Sequence, residues 1–299
     1  MTKEAIAALL TLGAALCIAI GDVIQQRAAH SVIEEPVGHL RLFTALLRDR
    51  LWWSGGVAAV AGVALQSAAL ALGSVLLVEV LLVTSLLFAL PLSARVDHRR
   101  VSSSTWLWAG LLAGAQAIVI VVGHPTAGLS HASLRTWAAV VAVLGPVLLA
   151  CLLGSRVWPG RVAAALLAAV SASSWAVFAV LTKGVLDLLG HGLGPLLRSW
   201  ELYGFVLAAL LGTIFQQSSF RAGALTASMP TFMVVEPVVA TMLAVTLLGE
   251  VLRPGEAGWL ALVPAVLVMV AATVVVSRSE AASAAEAQDL DQPAVSPRR

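Results

Sequence analysis

Nine apolar runs of about twenty residues each, at 5–27, 51–71, 73–94, 104–123, 133–153, 161–182, 195–215, 223–248 and 257–277, leave this chain few ways to fold. A helix rises about 1.5 Å per residue, so each run is long enough to cross the roughly 30 Å of hydrocarbon in a bilayer. Strands of a membrane barrel alternate apolar and polar residues over about ten positions, whereas these runs are twice that length and apolar on every side. Of 299 residues, 60% are hydrophobic and 11% charged, with a mean hydropathy of +0.95, too little polar surface to coat a soluble globule. The expectation is an all-α, polytopic membrane bundle of nine transmembrane helices.

The net charge of +2 is spread over short loops, so no basic groove forms and nucleic acid is excluded as a partner. Cys17 and Cys151 fall inside runs, where they read as small packing residues rather than a disulfide. The first run is too long for a signal-peptide core, and Ile20, Gly21 and Asp22 offer no cleavage pattern, so it reads as a retained span. Successive loops alternate sides, which puts thirteen Lys and Arg residues on one face and five on the other. The richer face is the cytoplasmic one, giving an outside N-terminus and a cytoplasmic C-terminus. The tail 279–299 has no apolar face to bury and is expected to be disordered. Loop 28–50 carries His30, Glu34, Glu35, His39 and Asp49, whose spacing fits no zinc pattern and reads as a solvated connector.

Within the eighth run, Glu236 is followed by Pro237. A charged acid at mid-bilayer costs roughly 2.5 to 3.5 kcal/mol on insertion scales, so it normally faces a bundle interior or an aqueous cavity. Pro237 has no N–H and crowds the carbonyl of Met233, which predicts a kink and a carbonyl free to meet cargo or to act as a hinge. A merely structural kink and a hydrogen-bonded structural Glu are the plain alternatives. Pro230 lies two turns earlier on the same helix.

The chain also resembles itself. Shifted by 150, residues 46–73 match 196–223 at eight of twenty-eight positions, including Arg48 with Arg198, Gly62 with Gly212 and Gln66 with Gln216. A shift of 156 sets residues 15–27 beside 171–183 and pairs Arg27 with Lys183. Spans one to four thus correspond to spans six to nine, with the fifth as connector. An offset of five helices is odd, so the copies cross in opposite directions, the architecture of secondary transporters working around a midplane site.

From Ser228 to Glu250 the sequence SMPTFMVVEPVVATMLAVTLLGE resembles the EamA-type signature of the drug/metabolite transporter (DMT) superfamily, with Pro237 at mid-depth and Gly249-Glu250 at the helix end. The first-half counterpart GSVLLVEVLLVTSLLFALPL has Leu87 in the register of Pro237 and its own Pro91 one turn later. EamA-type transporters typically have ten helices with both ends cytoplasmic, so a tenth helix is missing here. Nine helices and the GDVIQQRAA run at Gly21 to Ala29 are more similar to the magnesium-transporter (NIPA-type) branch or to an unassigned actinobacterial branch.

Several other residues carry candidate roles. Glu236 loads a proton, or binds a cation or amine, in one state of a transport cycle. Asp22 shares a helix face with Gln25 or Gln26, which suits a polar vestibule or plain interfacial solvation. Glu79, about two turns into the third span, fits an outer gate or, with Asp22 and Glu236, an oxygen-ligand set for a divalent cation; a snorkelling acid is the bland alternative. Lys183 stands where the resemblance implies a lysine, which attracts anionic cargo or anchors the helix. Trp175 sits among small Ser residues and either packs or floors a cavity. Trp52, Trp53, Trp106, Trp108, Trp137, Trp158 and Trp259 read as an interfacial belt. His124, His131 and His191 lie in outer loops, too far apart in sequence to be read as a site. Neither a phosphate loop, a nucleophile elbow nor an HExxH pair is present, so no enzyme and no cofactor are expected.

These readings combine into a first repeat at 1–123, a connecting helix within 124–160, a second repeat at 161–278 and a tail at 279–299. The expected protein is a secondary transporter of the bacterial inner membrane exporting small metabolites or amphipathic compounds by alternating access, with proton coupling through Glu236. Its cavity is expected mainly from spans one, three, six and eight. Magnesium transport and a non-transporting membrane partner protein remain the alternatives, and a homodimer is left open.

Overall fold

The computed structural model describes residues 3–31, 50–96, 101–126, 128–222, 225–255 and 258–291. Its described elements are helical: α1 (Lys3–Ser31), α2 (Arg50–Leu72), α3 (Val75–Leu82), α4 (Ser85–Val96), α5 (Ser103–Gly123), α6 (Leu134–Val157), α7 (Arg161–Gly190), α8 (Leu193–Arg198), α9 (Trp200–Ala222), α10 (Leu225–Leu248) and α11 (Gly258–Asp291). A lone antiparallel bridge joins Thr126 to Val251. Nine stretches among the described residues are long and apolar enough to cross a membrane, and the chain is a polytopic membrane protein. Loop residues 28–31, His30 among them, continue α1, and the rest of the loop up to Asp49, with Glu34, Glu35, His39 and Asp49, lies outside the described residues.

The third span is two half-helices, α3 and α4, interrupted at Val83 and Thr84. The Thr84 N–H turns to the carbonyl of Leu81, a tightened turn that leaves the Val80 carbonyl without its helical donor. Gln116 of α5 makes up the deficit: its Nε2 donates to the Val80 carbonyl at 2.9 Å, and its Oε1 accepts from the Thr84 hydroxyl at 3.2 Å.

Three expectations are corrected. The sixth span runs on to Gly190 and the seventh begins only at Trp200, with short α8 between them, where the apolar pattern put 182 and 195. The tail is helical as far as Asp291, because its Ala, Glu and Gln residues favour helix even without an apolar face. Trp52 and Trp137 are buried rather than interfacial, and Trp137 meets the Trp200 ring edge-on at 5.7 Å.

Small residues set the tightest helix contacts. A β-carbon on Gly21 would stand 3.1 Å from the Gly55 carbonyl, and one on Gly62 would stand 2.8 Å from Ile18 Cγ1, so α1 and α2 touch along Gly21, Gly55 and Gly62. Helix α7 packs against α9 and α10, α5 against α11, and α10 against α11. By contrast, α6 buries only Trp137 and Gly154 and otherwise presents its apolar surface outward.

Candidate functional site

Between the helices lies a cavity of about 560 Å³. Helix α1 contributes Ile18, Asp22 and Gln25 from its second half, α9 contributes Thr213 and Gln216 from its second half, and α10 contributes Phe232, Met233, Glu236 and Pro237 from its first half. The interrupted third span supplies Glu79, Leu82, Val83 and Ser85, so the break itself faces the space. Helix α2 supplies the largest share, from Trp52 to Gln66, while α7 gives only Trp175. The first, third and eighth spans therefore line it as expected, and the second takes the place foreseen for the sixth. Most of these positions lie at mid-depth or toward the end of the bundle where α1 finishes and α2 begins, here called the near end, while Gln66 in the last third of α2 and Glu79 one turn after Val75 reach toward the opposite end.

Six of the seven candidate residues meet there: Asp22, Gln25, Glu79, Trp175, Glu236 and Pro237. Glu79 is 2% exposed, and its Oε1 lacks a hydrogen-bond partner among the described residues. Among the described residues no Lys, Arg or His forms an ion pair with Asp22, Glu79 or Glu236. Three acids facing one low-dielectric space without a basic partner attract a cation or a proton. They do not converge as a ligand set, and among the described residues no three His, Cys, Asp or Glu are grouped to hold a metal ion. Gln25 Oε1 accepts from Gln217 Nε2 at 3.1 Å. Trp175 both packs and lines the cavity: a β-carbon on Gly212 would come within 2.9 Å of its Nε1, and its ring meets Phe178 edge-on at 5.2 Å. The Ser171 hydroxyl donates to the Gly212 carbonyl at 2.7 Å, locking α7 to α9 at the same level.

Lys183 is not in the cavity. It belongs to the opposite, far end, where its Nζ donates to Glu250 Oε1 at 2.7 Å. Glu250 is fully buried and also accepts from the backbone N–H of Val75 at 2.9 Å and of Leu76 at 3.0 Å. Its carboxylate thus caps the first turn of α3, where helix N–H groups lack internal partners, beside the N-cap Ser74 hydroxyl that accepts from Leu77. Gly249 turns the chain into this position at φ 64°, a left-handed conformation that glycine adopts freely. The loop after α5 is pinned alongside: Leu129 N–H donates to the Leu248 carbonyl at 2.7 Å, and Gly128 passes so close that a β-carbon would overlap that oxygen.

A second, partly exposed polar cluster lies at the same end. His131, from the loop before α6, places Nδ1 2.9 Å from Glu201 Oε1 and Nε2 2.8 Å from Asp187 Oδ2. The Glu201 hydrogen bond above all, with Asp187 adding to it, raises the His131 pKa above its ordinary 6.5 against the opposing effect of burial. With both ring nitrogens facing carboxylates, the imidazolium is the form that satisfies them. His191 joins the cluster through Nδ1, 2.8 Å from the Asp187 carbonyl. Sequence reasoning missed this cluster, because the three elements that build it are distant in the chain. It also missed Gln116, although a Gln in the middle of an apolar run was a visible signal.

No family model and no solved structure matches the chain. A protein of Corynebacterium glutamicum described as uncharacterized is 38% identical over 283 residues, covering 93% of this chain and 97% of that relative.

Proposed function

We propose, for a chain that belongs to the same family as the Corynebacterium glutamicum protein, the role of a secondary transporter that moves small metabolites or amphipathic compounds by alternating access. The observation that carries this reading is one cavity that holds Asp22 toward the near end, Glu236 at mid-depth and Glu79 toward the far end, with no Lys, Arg or His ion-paired to them among the described residues. Its volume of about 560 Å³ falls within the range typical of small-molecule sites. The buried Lys183–Glu250 pair ties α7 and α10 together at the far end, as one occluded side of an alternating-access cycle requires.

Packing supports the inverted repeat: Gly62 seats α2 on α1, and its counterpart Gly212 seats α9 on α7. The matched fourth and ninth spans, α5 and α11, also pack together. We assign the chain to the EamA-type branch of the drug/metabolite transporter superfamily, and the Gly249-Glu250 turn acting as a structural keystone supports that assignment. The arginine-rich loops favour a cytoplasmic near end, and the bacterial relative supports a plasma-membrane location.

Glu236 carries the coupling proton in this scheme. In proteoliposomes loaded with a pH-sensitive dye, a cationic amphipathic substrate drives proton flux through the wild type and not through Glu236→Gln. Intact proton-linked flux in that variant ends the coupling role. Uptake of magnesium reported by an entrapped indicator, and lost on substituting the three acids, would turn the reading to the divalent cation instead.

A further inference from the structure

A second cavity of about 230 Å³ lies against the adjoining face of α10, walled by the third span, α5, α10 and α11. Its seventeen lining residues are apolar apart from Thr241 and Thr273, and the Thr273 hydroxyl is taken up by the Met269 carbonyl at 2.7 Å. Such a space offers water almost no hydrogen-bond partners and takes apolar groups instead. Val83, Met233 and Pro237 line both cavities, so only this partition separates the acidic chamber from the apolar one. Val83 sits at the break in the third span, whereas Met233 and Pro237 lie within the unbroken α10, where Pro237 has no N–H to donate to the Met233 carbonyl.

We infer that the transported molecule is a single-chain amphiphile. Its positively charged amine-type head lies among Asp22, Glu79 and Glu236, and its unbranched hydrocarbon tail passes the Val83, Met233 and Pro237 partition into the second cavity. This inference rests on the transporter reading of the acidic cavity and adds to it the class of substrate. The wall shared by the two spaces selects the tail as the occupant: an acidic chamber alone suits any small cation, but an apolar annex behind that wall, open to the surface at Val238 and Met242, rewards hydrocarbon attached to that cation. Each methylene removed from water tightens binding by about three- to fourfold at most.

Binding is read from intrinsic tryptophan fluorescence in lipid nanodiscs, since Trp52, Trp53 and Trp175 line the head chamber. The probes are tetramethylammonium and butyl-, octyl- and dodecyltrimethylammonium. Val119→Phe and Val266→Phe narrow the second cavity from facing helices without touching the first. The ratio of variant to wild-type Kd at each chain length cancels partition of the probe into lipid. The expected ratio is close to one for tetramethylammonium, which also reports that each variant is folded, and at least tenfold for octyltrimethylammonium. Should either Phe variant lose tetramethylammonium binding, Val266→Ala replaces it and is expected to favour the octyl over the butyl probe more strongly than the wild type does. A ratio that stays flat with chain length, or an alanine variant with unchanged preference, overturns the tail site and leaves the tail in the bilayer. Failure of every probe to bind the wild type overturns the acidic-cavity reading itself, and this inference with it.

Discussion

Replacing Glu250 by alanine tests whether the far end is held by one buried carboxylate. The side chain is fully buried and accepts three hydrogen bonds, from Lys183 Nζ at 2.7 Å, Val75 N–H at 2.9 Å and Leu76 N–H at 3.0 Å. Glu250→Ala leaves the Lys183 ammonium, itself 9% exposed, without a counter-charge. Breaking a buried ion pair from one side costs about 3–5 kcal/mol, because the remaining charge stays uncompensated. The two stranded N–H groups at the start of α3 add about 1–3 kcal/mol each where water does not reach them. The expected loss is therefore at least about 5 kcal/mol. Adding Lys183→Met to Glu250→Ala removes the orphaned cation, so the double variant is expected to be more stable than Glu250→Ala alone. The assay is reversible unfolding in bicelles by steric trapping, run as a double-mutant cycle. A loss below about 1 kcal/mol for Glu250→Ala, or costs that simply add in the double variant, would refute the reasoning.

Three further outcomes are expected. His131 has a pKa raised in the folded protein, so its contribution is fully present below pH 6.5 and is lost as pH rises through the folded value; the gap in melting temperature between wild type and His131→Gln should be widest in acid and close in alkali, and a gap independent of pH counts against the cluster. Gly212→Ala places a β-carbon 2.9 Å from the Trp175 indole nitrogen and should cost about 1–3 kcal/mol through overpacking, with a shifted tryptophan emission; a neutral effect would mean that α7 and α9 separate freely. Gln116→Leu leaves the Val80 carbonyl unsatisfied, and amide exchange at Thr84 to Leu87 should quicken while α5 keeps its protection; unchanged exchange would show that Gln116 does not hold the break.

What could be read without coordinates was whatever solvation dictates. A run of twenty apolar residues has one low-energy fate in hydrocarbon, a helix with its backbone bonds closed internally, so nine spans were legible from hydropathy alone. The expense of burying acids marked Asp22, Glu79 and Glu236 before any contact was known, and the cavity collects all three. Partners were not legible, because they depend on which helix faces approach. Lys183 could have met cargo or protein, and only the arrival of Glu250 from the end of α10 decided that it anchors. Asp187 and Glu201 lie 56 and 70 positions from His131 and share no local pattern with it. The break at Val83 is likewise tertiary, stabilised by a glutamine on another helix rather than by a proline or glycine at the site. Hydrophobicity is a property of each residue and survives in the linear text; a hydrogen bond across a bundle belongs to two helices at once and exists only when they have packed.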